Sequence, residues 1–310
     1  MATGQIPKER KQSRFELAAW SDWLLPKLTL IPSLIAVGVF IYGFLGWTIW
    51  LSFTNSTILP SNHFAGLIQY EAMFSLDTWH VSLLNLLIFG ALYIGVSLGL
   101  GLLLAILLDQ KIRAVGLLRT IYLYPMALSM VVTGVVWKWM LNPSMGVQHV
   151  VRSWGWGSFS FDWLIQPDMA IYAVAVAAVW QASGFVMTLF LAGLRNIDDS
   201  IIKAAQLDGA SLPRAYLKII IPSLQPVLFS AVALLVQLSI KSFALIMAMT
   251  GGGPGYSTWM PAIFMYEYGF NRGQIALGAA AASLMMLVIA VVILPMWISE
   301  FRQKRNARNG

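Results

Sequence analysis

The chain has 310 residues, 58% of them apolar and 11% charged, with 20 Lys and Arg against 13 Asp and Glu for a formal net charge of +7. A soluble domain carries roughly 25% charged residues, so an ordinary cytosolic enzyme is excluded, and apolar segments recur so closely that no stretch remains for a soluble catalytic domain. One integral membrane domain is the expectation, and the basic residues between its apolar segments are topology signals, not the basic face of a nucleic-acid binder.

About 20 apolar residues cross a hydrocarbon core of about 30 Å, and each Asp, Lys or Arg at mid-helix costs about 2.5–3.5 kcal/mol, so uncharged runs mark the spans. Residues 1–27 are polar and carry Lys8, Arg10, Lys11, Arg14 and Lys27. The run 28–53 that follows is too long for a signal-peptide core and has no small-residue cleavage site after it, so it is expected to be retained as a helix. Further runs lie at 81–108, 120–137, 169–194, 219–240 and 273–299. The fifth is expected to continue past Lys241 to about Met249. Six spanning helices are therefore predicted over 28–299, followed by a short tail, 300–310. Pro32, Pro125, Pro222, Pro226 and Pro295 fall inside or at the ends of these runs, where membrane helices tolerate proline. Gly95 and Gly99 form a GxxxG in the second run, and Gly278 to Ala282 give the sixth a small-residue face, both patterns for close helix packing. Trp20 and Trp23, Trp47 and Trp50, and Trp137 and Trp139 sit at span ends as interface anchors do.

Sixteen of the 20 basic residues lie in the N-terminal segment, in the 109–119 loop, in the 195–218 loop or in the C-terminal tail. The other side receives Lys138, Arg152, Lys241 and Arg272. Positive charge is retained inside, so both termini and those two loops are expected in the cytoplasm. The chain has no cysteine, which excludes disulfides, thiolate metal sites and cysteine catalysis. His63, His80 and His149 are too far apart to share one metal-binding helix face.

The stretch 195–222, RNIDDSIIKAAQLDGASLPRAYLKIIIP, carries the most information. Asp198, Asp199 and Ser200 are good caps for a short helix holding Ile201, Ile202, Ala205 and Leu207, and Gly209 supplies the left-handed residue that ends it. Ser211 then caps a second helix, with Pro213 tolerated in its first turn. A solvated connector and a helix pair that docks on a partner both fit this pattern.

The same stretch resembles the signature loop of binding-protein-dependent ABC importer permeases, which reads Glu-Ala-Ala, two residues, Asp-Gly-Ala, then an aromatic, an isoleucine and a proline. Ala204, Ala205, Asp208, Gly209, Ala210, Ile219 and Pro222 match, and Tyr216 stands at the aromatic position. Lys203 departs, occupying the glutamate position. The segments 64–70 (FAGLIQY), 119–125 (RTIYLYP), 137–143 (WKWMLNP) and 250–256 (TGGGPGY) are similar to segments of the carbohydrate-type members, and 181–187 (QASGFVM) with 241–243 (KSF) are most similar to the glucose/mannose branch. The resemblance implies an all-α integral membrane protein of the type I ABC importer permease fold. It implies that Lys203, Ala204, Ala205, Asp208, Gly209, Ala210, Ser211, Pro213 and Tyr216 couple to an ATPase subunit through a cytoplasmic helix. It further implies a second homologous permease, two ATPase subunits and an extracytoplasmic sugar-binding protein as partners, in a bacterial cytoplasmic (inner) membrane, with the turn at Gly251–Gly255 near that binding protein.

No GxxxxGK[ST] loop is present to cradle ATP phosphates, so ATP would be hydrolysed by another polypeptide. A proton-coupled secondary carrier usually places a carboxylate inside a span, whereas the acidic residues here fall in loops or at helix ends. A membrane-embedded enzyme lacks paired carboxylates, HExxH and GxSxG. No cofactor, metal or nucleic acid is expected. For a sugar such as glucose or mannose, hydroxyls need polar partners and C–H faces need aromatic rings; Tyr124, Trp180, Gln181, Ser183, Gln237, Lys241 and Ser242 are the candidates for the pathway. Gln237 and Lys241, four apart, share a helix face. Helix–helix contacts, or a lysine snorkelling to the interface, are the competing account of the same residues.

Overall fold

The structure is a computed structural model that describes residue 27 and residues 30–61, 63–110 and 115–309. Lys8, Arg10, Lys11, Arg14, Trp20, Trp23, Lys111 and Arg113 lie outside the described residues. Those described are helical apart from turns and one isolated antiparallel bridge, Thr54 to Phe64.

The first apolar run becomes helix α1, Leu30–Ser52, with a π-helical stretch at Gly38–Gly43. A short helix α2, Ile68–Ser75, precedes α3, Asp77–Asp109. The third run becomes α4, Val115–Ala127, and α5, Met130–Met140; α6 is Val147–Ser153 and α7 is Pro167–Arg195. The 195–222 stretch forms α8, Asp199–Leu207, and α9, Leu212–Ser223, before α10, Gln225–Ile240, and α11, Phe243–Met249. Helix α12, Pro261–Tyr266, runs on as a π-helical turn to Asn271, and α13 is Ile275–Asn309.

Among the described residues, α1, α3 and α7 are each long and apolar enough to cross a membrane alone. Two of the expected single helices are broken instead. The axis turns by 99° between α4 and α5 and by 65° between α9 and α10. At the first break Ser129 leaves helical geometry and its hydroxyl accepts from the Val132 amide at 3.2 Å, a new N-cap that follows directly on Pro125. At the second, Pro226 stands in the first turn of α10, where it lacks the amide a continuous helix would need. The fifth run also stops short of its expected end. Lys241 and Ser242 take turn geometry, and α11 starts afresh as a separate helix packed on α5.

Helix α7 is the centre of the molecule. It is apolar on every side, which is the pattern of a helix enclosed by others, and Ala173, Val174, Ala177, Val186, Met187 and Phe190 are all buried. Its most extensive neighbour is α3, followed by α4. Two close approaches fix these contacts, and a third holds the end of α7 to the α9–α10 junction. A Cβ on Gly101 of α3 would lie 2.5 Å from Val186, one on Gly184 would meet the Tyr122 backbone of α4, and one on Gly193 would lie 2.8 Å from Leu224. Gly278 in α13 packs against Gly269, as its small-residue face led us to expect. The GxxxG of α3 does not pack within this chain. Gly95 and Gly99 face open space, because the face of α3 that meets α7 is instead the one holding Ser97 and Gly101.

Candidate functional site: the 195–223 loop and the opposite end of the bundle

The chain leaves α7 at Arg195, and the Asp198 carboxylate caps α8 by accepting from the Ser200 amide at 2.8 Å. That amide, then the Ser200 hydroxyl and then the charge of nearby Lys203 hold the Asp198 carboxyl below its ordinary range. Helix α8 ends in a Schellman turn. The Ala210 amide donates to the Ala205 carbonyl at 2.9 Å and the Gly209 amide to the Gln206 carbonyl at 3.0 Å, the paired bonds that close such a terminus. Gly209 sits at φ +79, in the left-handed region. Ser211 starts α9 with its carbonyl, accepting from Ala215 at 3.0 Å, while its side chain makes no capping bond. Pro213 lies in the first turn.

The loop presents an uneven surface. Ala205 and Ala215 are buried against the bundle, whereas Lys203, Ala204, Gln206, Asp208, Ser211 and Pro213 are exposed and Ala210 is half-buried. Leu207 is 88% exposed, with Ile201 and Leu217 also open. Tyr216 turns the other way, half-buried and facing Asp109 and Gln110 at the end of α3. An apolar tip beside a rigid glycine turn is a surface shaped for contact.

The other sequence candidates do not converge on one pocket. Trp180 and Ser183 line a cavity of about 770 Å³ between α3, α4, α5 and α7, with Tyr122, Trp137 and Trp163 in its walls. Trp180 meets Trp137 edge-on, with centroids 5.9 Å apart. The walls are mainly apolar and aromatic, suited to C–H faces and short of partners for hydroxyls. Gln181 is buried elsewhere, its amide donating to the Leu128 carbonyl at 2.7 Å. Leu128 lies at the α4–α5 break, so Gln181 satisfies a carbonyl that the break has freed. Ser242 is buried too, donating to the Ser239 carbonyl at 2.7 Å at the α10–α11 break. Gln237 is half-buried on α10, Lys241 is exposed at the end of that helix, and Tyr124 is 65% exposed on α4.

At the far end of the bundle the segment 250–259 folds as a compact turn. Thr250 and Thr258 hydroxyls lie 2.7 Å apart, and the Thr258 hydroxyl donates to the Gly253 carbonyl at 3.1 Å. Gly252 has φ +93, and a Cβ there would lie 2.8 Å from the Trp259 indole nitrogen. The turn is tied to α3 by Asn85, whose amide donates to the Tyr256 carbonyl at 3.2 Å and to the Trp259 carbonyl at 3.0 Å. Sequence reading passed over Asn85. The available signal was an amide side chain within an otherwise apolar run, which in a membrane needs a partner.

Residues 97–305 match the model of the family described as binding-protein-dependent transport system inner membrane component. A chain of Pyrococcus horikoshii described as a probable ABC transporter permease protein is 42% identical over 270 residues, covering 86% of this chain and 92% of that one. A xylose/arabinose import permease protein of Haloferax volcanii is 36% identical over 272 residues, covering 87% of this chain and 86% of its own. The crystal structure of a bacterial ABC transporter involved in the import of the acidic polysaccharide alginate superimposes with a TM-score of 0.77 at 20% identity, covering 94% of this chain and 99% of the other. That likeness establishes the type I ABC importer permease fold.

Proposed function

The chain belongs to the family of binding-protein-dependent transport system inner membrane components, and from that premise we propose that it is one permease subunit of an ATP-driven sugar importer. It is a transport component, not an enzyme. The observation that carries the reading is the 195–223 loop, with its capped α8, its Schellman turn at Gly209 and its open Leu207. An exposed apolar tip on a rigid turn is explained by a partner that covers it, and the ATPase subunit is that partner.

In this reading residues 28–299 form the transmembrane domain, crossing six times with α4–α5 and α9–α10 as bent crossings, and segments 1–27 and 300–310 are cytoplasmic. A second homologous permease, two ATPase subunits and an extracytoplasmic binding protein complete the complex. ATP binding draws the two coupling loops together, and the permease pair exchanges inward-facing for outward-facing states. Lys203 stands where the family has glutamate; its charge lies near Asp198, and an ionic contact of the glutamate type from this position is not expected. Trp180 and Ser183, from the aromatic cavity, and Gln237 and Lys241, on α10, remain the pathway candidates. Tyr124 would join them only across an interface, and Gln181 and Ser242 serve through the breaks they stabilise. The neighbourhoods 181–187 and 241–243 support a hexose such as glucose or mannose. The xylose/arabinose description of the Haloferax volcanii relative makes pentoses the competitors to test beside it.

The test is co-expression of this chain with a second permease, an ATPase and a sugar-binding protein of the same organism, followed by purification and uptake. The expected result is an assembled complex whose hydrolysis rises with sugar-loaded binding protein, and uptake that stops on ATP depletion. Uptake that survives ATP depletion and collapses with the proton gradient would refute the reading. Reporter fusions at Gln148 and Gly255 should report outside, and fusions at Asp199 and Asn306 inside.

A further inference from the structure

We propose that Asn85 is a positioning residue that fastens the 250–259 turn to α3, so that a load on this turn moves the α3–α7 pair and through it the 195–223 loop; this rests on the importer reading above. The two Asn85 hydrogen bonds reach carbonyls on either side of the Ser257–Thr258 corner, at Tyr256 and Trp259. Both donors of one amide are thereby used, and the residue is 7% exposed. The turn itself is stiff. Its threonine bridge, the Gly253 carbonyl contact and the edge-on packing of Tyr256 on Trp259 at 4.7 Å leave it to move as a unit.

From Asn85 to Asp109 the helix continues without a break, a length of about 36 Å at 1.5 Å per residue. Helix α3 is joined to α7 where Gly101 lets Val186 and Met187 approach so closely that a Cβ would not fit between them. Helix α7 then runs directly into Arg195 and the capped loop, and Gly193 presses its last turn against Leu224 at the α9–α10 break and Val227 of α10. Each joint is a close contact between rigid elements, the kind of contiguous network through which coupling travels. The Asn85 attachment is made by a single side chain, beside the edge-on packing of Phe264 on Trp79 that holds α12 to α3, so a substitution there loosens the turn while leaving the helices seated.

The experiment uses the reconstituted full complex with its sugar-binding protein, loaded with glucose, mannose, xylose or arabinose. Asn85→Leu keeps the side chain's size and removes both donors. The expected result is faster hydrogen exchange in residues 250–259 and a fall of about tenfold in the stimulated part of ATP hydrolysis, the scale set by two lost helix-to-turn hydrogen bonds of the strength such bonds have in membrane proteins. The basal rate and the amount of assembled complex should stay as in the unaltered protein. Asn85→Ala, which removes the donors without bulk, carries the same test if the leucine variant does not assemble. Stimulation equal to that of the unaltered complex would overturn the inference. So would a parallel loss of basal and stimulated hydrolysis in both variants, since Asn85 would then be only a packing residue. If the unaltered complex is not stimulated by any loaded binding protein, the importer reading fails and this inference with it.

Discussion

Gly184→Ala tests whether α4 is seated on α7 by backbone contact. A Cβ at that position would lie 2.5 Å from the Tyr122 carbonyl carbon and closer still to its oxygen. Apolar carbon contacts settle at about 3.5–4.0 Å, so α4 must withdraw by about 1 Å or more. The Leu128 carbonyl travels with α4, and its 2.7 Å bond from Gln181, one turn away on the same helix, is then stretched or lost. Overpacking a filled site costs about 1–3 kcal/mol, and an interhelical hydrogen bond in a membrane about 0.6 kcal/mol. A total of about 2–4 kcal/mol follows. The assay is the melting temperature of the detergent-purified chain, followed by the loss of its monodisperse peak on size exclusion. Gln181→Leu should cost only the smaller part, and Gly95→Ala and Gly99→Ala, which meet nothing within 4 Å, should melt no lower than the parent. An unchanged melting temperature for Gly184→Ala would refute the backbone-contact account.

Gly209→Val places a β-branched residue at φ +79, where such side chains are strained; the chain should still insert, while the ATPase no longer co-purifies and uptake is lost. Asp198→Asn preserves a capping oxygen and should keep ATPase association, whereas Asp198→Ala should weaken it. Because the folded Asp198 carboxyl lies below its ordinary range, the cap's contribution is complete above about pH 4 and disappears only as pH falls below that, so ATPase association should not change between pH 6 and 8 through this group. Replacing Gln237 or Lys241 by alanine should impair uptake more than assembly, and normal transport kinetics in both variants would assign them to packing and snorkelling.

Helix α8 with its two ends and the start of α9 were legible in the amino-acid sequence because every signal there is local: a capping carboxylate and a left-handed glycine for α8, a proline in the first turn of α9. The apolar runs were legible for the same reason, since the hydrocarbon core imposes a length that composition alone reveals. The breaks were not. Composition treats 120–137 and 219–249 as uninterrupted, and whether a helix continues through Leu128, Leu224 or Lys241 depends on whether a distant side chain is present to take up the freed backbone groups, as Gln181 does for Leu128. The same holds for the glycines. A GxxxG spacing marks a face that could pack, yet which face of α3 meets α7 was decided by the fit of Gly101 to Val186 and not by the Gly95–Gly99 pair. Asn85 shows the limit most plainly: the sequence carries an amide in an apolar helix, while its partners, Tyr256 and Trp259, lie 171 and 174 residues further along the chain and are brought to it only by the packing of the whole bundle.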